Sequence, residues 1–131
     1  MATVNNQAGN WEQAKNLADK NLERDPNDRD ALINRSNANY GLKLYDRSYA
    51  DANKAQALDP ASVAAIDSRA MASYGMGNYL QVMEDSRRAL ALDPNDKTAF
   101  SLMKLAEARV KPNANLDNLK PQETAAISAG E

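Results

Sequence analysis

The chain has 131 residues, 43% apolar and 26% charged, the proportions of one ordinary globular domain, and its formal charge of -2 gives no net attraction to a phosphate backbone. It contains no Cys and no His, which excludes disulfides, thiolate nucleophiles, Cys-rich zinc sites and the commonest general base. No run approaches a membrane span, and the opening "MATVNNQAGN" has neither the basic start nor the apolar stretch of an export signal. The expectation is a cytoplasmic protein that is not an enzyme, with no cofactor, metal, membrane insertion or nucleic-acid partner.

Residues 1–9 read as a flexible start, and residues 10–24 as a helix with Trp11, Ala14 and Ala18 on one side. "DPND" then closes it at Asp25–Asp28, recurs at Asp93–Asp96, and has "DPAS" at Asp59–Ser62 midway between, so the punctuation returns every 34 residues. Pro lacks the amide donor and disfavours helical geometry in the residue before it, so each "DP" is a helix stop. Sliding Arg29–Ser62 onto Val63–Asp96 gives identity at twelve positions, where unrelated windows would share about two.

Within each unit the spacing predicts two helices: Ala31, Leu32, Arg35, Ala38 and Leu42 recur at three and four, then Tyr45, Ser48, Ala52, Ala55 and Leu58 do so again. "YGLKLY" and "YGMGNY" mark the turn between them, with Gly near the first helix's end, where a left-handed residue is cheapest. The full units are thus 29–62 and 63–96, and "KTAFSLMKLAEARV" at 97–110 repeats the first helix of a third. Residues 111–131 contain Pro112 and Pro121, which prevent a full second helix. They read as a mostly disordered tail or linker, with a short turn at Leu116–Leu119 able to cap the last helix.

This pattern resembles the tetratricopeptide repeat family: small residues at helix crossings (Ser36/Ala70, Ser48, Ala55/Ala89), an aromatic opening the second helix (Trp11, Tyr45, Tyr79) and a closing Pro (Pro60, Pro94). Val82 departs from it at the crossing that Ser48 occupies, and no Trp stands near Leu32 or Ile66. The resemblance covers about Asn10–Val110 and implies an all-α, right-handed superhelical solenoid of about six helices. It also implies a concave groove lined here by Ile33, Asn37, Tyr40, Asp67, Met71, Tyr74, Ser101 and Leu105. The expected function is a protein-binding module, alone or in a larger scaffold, that holds a partner peptide or helix. A self-assembling element, forming a homo-oligomer through its unpaired terminal helices, is the alternative. Some family members clamp a C-terminal carboxylate with Lys, Asn and Arg; only Asn34 matches, and Ala64 and Ser68 bring no charge, so that mode is not expected.

Arg35 and Arg69 lie among small and apolar positions, where a guanidinium needs a carboxylate. Asp51 and Asp85 follow each by sixteen residues, which brings them opposite on an antiparallel second helix. Where a hairpin is incomplete, Leu17 replaces the Asp and Met103 the Arg. Two structural ion pairs, Arg35 with Asp51 and Arg69 with Asp85, are expected.

Overall fold

The computed structural model describes the backbone of residues 3–110 and the side chains of residues 9–110. Six helices follow one another in that span: α1 (Thr3–Arg24), α2 (Arg29–Gly41), α3 (Tyr45–Leu58), α4 (Val63–Met76), α5 (Tyr79–Leu92) and α6 (Lys97–Val110). Consecutive helices pack antiparallel, and the first-type helices α2, α4 and α6 also touch one another in a row. The result is an all-α superhelix. α1 starts at Thr3, upstream of the expected Asn10, so most of the stretch expected to be flexible is helical. The expected tail at 111–131 lies outside the described residues.

The "DPND" and "DPAS" stretches are two devices in four residues. The first Asp folds its carboxylate back on the chain, accepting from the amide two residues on: Asn27 to Asp25 at 3.1 Å, Ala61 to Asp59 at 3.2 Å, Asn95 to Asp93 at 3.1 Å. The fourth residue caps the next helix. Asp28 accepts from the Ala31 amide, Ser62 from that of Ala65, and Asp96 from that of Thr98. One helix therefore stops and the next begins within a single hydrogen-bonded turn.

The left-handed residue inside the hairpin is a glycine of the turn in the second unit but not in the first. Lys43 (φ 66°) and Gly77 (φ 81°) hold that conformation, and the amides of Leu44 and Asn78 close the helix ends on the carbonyls of Asn39 and Ser73. Gly41 and Gly75 sit two residues earlier and are needed for space. A Cβ on Gly41 would fall inside the indole of Trp11, and one on Gly75 inside the ring of Tyr45. Each aromatic that opens a second helix thus lies flat on the first helix of the following hairpin. Tyr45 is half-buried there, while Trp11, on the outermost helix, stays 38% exposed.

The crossing within each hairpin is built differently. Ser36 donates to the Ser48 carbonyl at 2.8 Å, with the two hydroxyls 3.0 Å apart, all fully buried. In the next hairpin Ala70 meets Val82 instead, so Val82 fills the volume that a hydrogen-bonded serine pair fills in its neighbour. Around the crossings, Leu32 and Ile66 are the large apolar side chains with least exposure.

Arg35 bonds Asp51 through two nitrogens, both at 2.8 Å, and Arg69 bonds Asp85 at 3.0 and 2.7 Å. Each arginine has a third bond to the second-type helix before it, Arg35 to Asp19 at 2.9 Å and Arg69 to Asn53 at 2.8 Å. The hydrogen bonds to Asp51 and Asp85 raise both guanidinium pKa values against the opposing effect of burial. Asp85 is 1% exposed, so losing its partner's charge complement is costly.

Two outcomes follow. Asp85→Asn is expected to lower unfolding free energy in urea by about 2–4 kcal/mol, since it leaves the Arg69 charge poorly matched in a buried seam; an unchanged midpoint would remove the pair from the account of stability. Gly75→Ala is expected to destabilise by about 1–3 kcal/mol through overpacking against Tyr45, despite a helix-propensity gain of about 1 kcal/mol. Gly41→Ala should cost less, because the exposed Trp11 can swing aside; thermal unfolding of the two variants side by side checks the order.

Candidate functional site: a groove on the first-type helices

Because α2, α4 and α6 lie side by side, one turn of each faces a common surface, and Ser68 ties α4 to α2 by donating to Asn37 at 2.9 Å. Over this surface opens a cavity of about 530 Å³. Ile33, Asn37 and Tyr40 of α2 line it, with Asp67 and Met71 of α4. Tyr40 also packs its ring 5.4 Å from that of Tyr45, and burial, followed by the neighbouring Tyr45 and Tyr74, raises its phenol pKa.

The other three sequence-named groove residues lie elsewhere. Tyr74 is half-buried, its ring 5.6 Å from Tyr79, with the Arg109 guanidinium 5.9 Å from its centroid. Ser101 borders a separate depression beside Pro94, Asp96 and Phe100, and Leu105 is 47% exposed outside both. The cavity in turn takes four residues the sequence reading passed over: Trp11, Ala64, Ser68 and Thr98. Ala64 and Thr98 stand one period apart at the starts of α4 and α6, each three residues before a predicted groove position (Asp67 and Ser101), which is the signal that points to them. Trp11 reaches the cavity because Gly41 offers no side chain to hold the indole back.

Asp67 is the acidic residue among the groove's lining. It stands where Ile33 and Ser101 stand in the neighbouring units, against Asp96, the cap of α6. Asp67 Oδ1 and Asp96 Oδ2 are both buried without a donor. Burial first, then the hydrogen bond to Asp96 and the charges of Asp96 and Asp93, push the Asp67 carboxyl up to about 8. At neutral pH it holds a proton, which is the donor the pair otherwise lacks. No Lys or Arg lines the cavity.

Helical hairpins with a 34-residue period, stacked so that their first helices form one grooved face, define the class: the chain has the tetratricopeptide repeat fold. Solved structures similar to it are tetratricopeptide domains. The first such domain of human RPAP3 has a TM-score of 0.76 at 24% identity, covering 82% of this chain and 84% of that one. The domain of Arabidopsis OM64 has a TM-score of 0.73 at 25% identity, covering 78% and 84%. The first domain of Spaghetti (RPAP3), bound to the HSP90 peptide SRMEEVD, has a TM-score of 0.74 at 24% identity, covering 79% and 82%. No family model matches the sequence, and no curated protein matches it.

The shifted carboxyl has a measurable consequence. Between pH 4 and 8 the folded chain keeps a proton on Asp67 that the unfolded chain releases, so this group's contribution to stability falls as pH rises through that window and is most favourable below it. Asp67→Asn removes the effect. The variant is expected to exceed the parent by about 1–2 kcal/mol at pH 8 and to converge with it near pH 4; thermal unfolding of both across that range checks it, and parallel curves would mean that Asp67 titrates normally.

Proposed function

We propose that the chain is a non-catalytic interaction module whose grooved face holds an amphipathic segment of a partner protein, with apolar side chains in the cavity and a basic side chain beside Asp67. The observation that carries this is the cavity itself: Ile33, Tyr40, Met71 and Trp11 offer apolar area, while Asp67 is the acidic residue among its lining, protonated at neutral pH and ionised above about pH 8, and no cation accompanies it. Tyrosine suits such a surface, combining a rigid apolar face with a hydroxyl that can fix register. Met71 can adapt to different side chains.

Structural neighbours support peptide holding as the general role: one is bound to the HSP90 peptide SRMEEVD and another, the second domain of human RPAP3, to the HSP70 peptide SGPTIEEVD. Both peptides end in acidic residues. In this chain Asp67, Ala64, Ser68 and Thr98 line the groove, which offers no cation to an acidic segment and, once Asp67 ionises above about pH 8, a carboxylate to a basic one. Affinity would come mainly from buried apolar area, with the Asp67 contact adding at most about 1 kcal/mol and salt mattering little.

Calorimetric titration with paired amphipathic peptides, identical except for Lys or Glu at one exposed position, tests the reading. The Lys peptide should bind more tightly, and more so above pH 8, where Asp67 is ionised. Tyr40→Ala should weaken it by about 1–3 kcal/mol with the helical circular dichroism unchanged. Equal binding of SRMEEVD-type peptides, or a Tyr40→Ala variant that binds like the parent, would count against the groove.

A further inference from the structure

α1 is a second-type helix and α6 a first-type helix, and among the described residues neither has the partner that would complete its hairpin. In the complete hairpins two levels fix the pairing: Arg35 and Arg69 bond the Asp sixteen residues on, and Ser36 bonds Ser48 twelve residues on. Carried by the 34-residue period onto the outer helices, those levels set Met103 against Leu17 and Lys104 against Ala14. Where both inner hairpins hold an ion pair, both outer helices therefore hold an apolar residue. Changing one side alone would leave a charge unpaired in a seam; here both are changed.

The exposed surface agrees with this register. Leu17 is 64% exposed, and Phe100 is 55% exposed where its equivalents Leu32 and Ile66 are buried by their own second helices. Along α1 and α2 runs a hollow of about 300 Å³ lined by Trp11, Ala14, Leu17, Ala18, Asn34 and Asn37. A first-type helix paired with α1 would lie along it, and Ala14 and Ala18 permit a close approach.

We propose that a second copy of the chain supplies that helix: α6 of one copy docks on α1 of the next, completing a hairpin in the register of the inner two and joining chains head to tail. Lys104 is the misfit. Ser36 and Ala70, its equivalents, are fully buried, so the ammonium has to extend out of the seam, which keeps the association weak. This inference does not depend on the peptide-binding reading, although Trp11 and Asn37 border both hollows.

Sedimentation equilibrium of the full chain over a concentration series tests it. The mass is expected to climb above 14.3 kDa with concentration, and Lys104→Ala to tighten association about ten-fold, or 1.4 kcal/mol. Leu17→Asp and Met103→Arg should each reduce it, and the double variant should recover it by re-creating the Arg–Asp pair of the inner hairpins. Circular dichroism of each variant separates lost association from lost fold. A chain that stays monomeric to about 1 mM, too weak for specific pairing, overturns the proposal, as does association indifferent to Lys104→Ala and Leu17→Asp. Exchange-protected amides in residues 111–131 of a monomeric chain would assign the α6 face to the chain's own C-terminal segment instead.

Discussion

Each inner arginine holds three helices at once, and the shape of the superhelix depends on that. Arg35 lies on α2, takes both oxygens of Asp51 on α3, and spends its remaining nitrogen on Asp19 of α1. Arg69 does the same for α4, α5 and α3, with Asn53 in place of the aspartate. A planar guanidinium has its donors in fixed directions, so it sets an angle as well as a distance. A core made largely of alanine, with Leu32 and Ile66 as its least exposed large side chains, offers few interlocking shapes to set that angle. The charge network supplies geometry that the apolar contacts leave loose.

That network lies on the side of the hairpins away from the grooved face, which frees the groove from structural duty. Its floor is made by first-type helices whose spacing is fixed from behind, and its wall by aromatics seated on glycines. Gly41 and Gly75 let Trp11 and Tyr45 lie flat on the next hairpin. One period later Arg109 stands where a third glycine would, donating to the Tyr79 hydroxyl at 3.2 Å with its guanidinium over the rings of Tyr74 and Tyr79. The cation closes over the aromatic pair at this end, and so Tyr74 is taken up by its neighbours while Tyr40 borders open space.

What could be read from the sequence follows from which features are periodic. The two-helix unit and its punctuation repeat, so comparing one unit with the next exposes them, and an offset of sixteen maps Arg and Asp onto one level of an antiparallel hairpin. A glycine near a helix end has two uses, a positive φ and a missing side chain, which spacing cannot tell apart: in "YGMGNY" Gly77 serves the first and Gly75 the second. Lys43 holds the left-handed turn without being glycine at all. The groove was half legible for a related reason: helical phase selects the outward face, but whether Tyr74 stays open depends on Arg109, thirty-five residues away in sequence.

Departures from the period therefore carry most of what distinguishes this chain from its fold. Repetition at a position means that the hairpin needs the residue; a break at the same position in an otherwise intact unit means that packing does not. Asp67 is such a break, since Ile33 and Ser101 serve equally well in the neighbouring units. It faces Asp96, which cannot move because its carboxylate caps α6. The neighbouring units place an uncharged side chain at this position, so the buried carboxyl pair is particular to the α4–α6 junction. The proton that Asp67 keeps supplies the donor between the two carboxyls, so the pair stands in the folded chain without a cation.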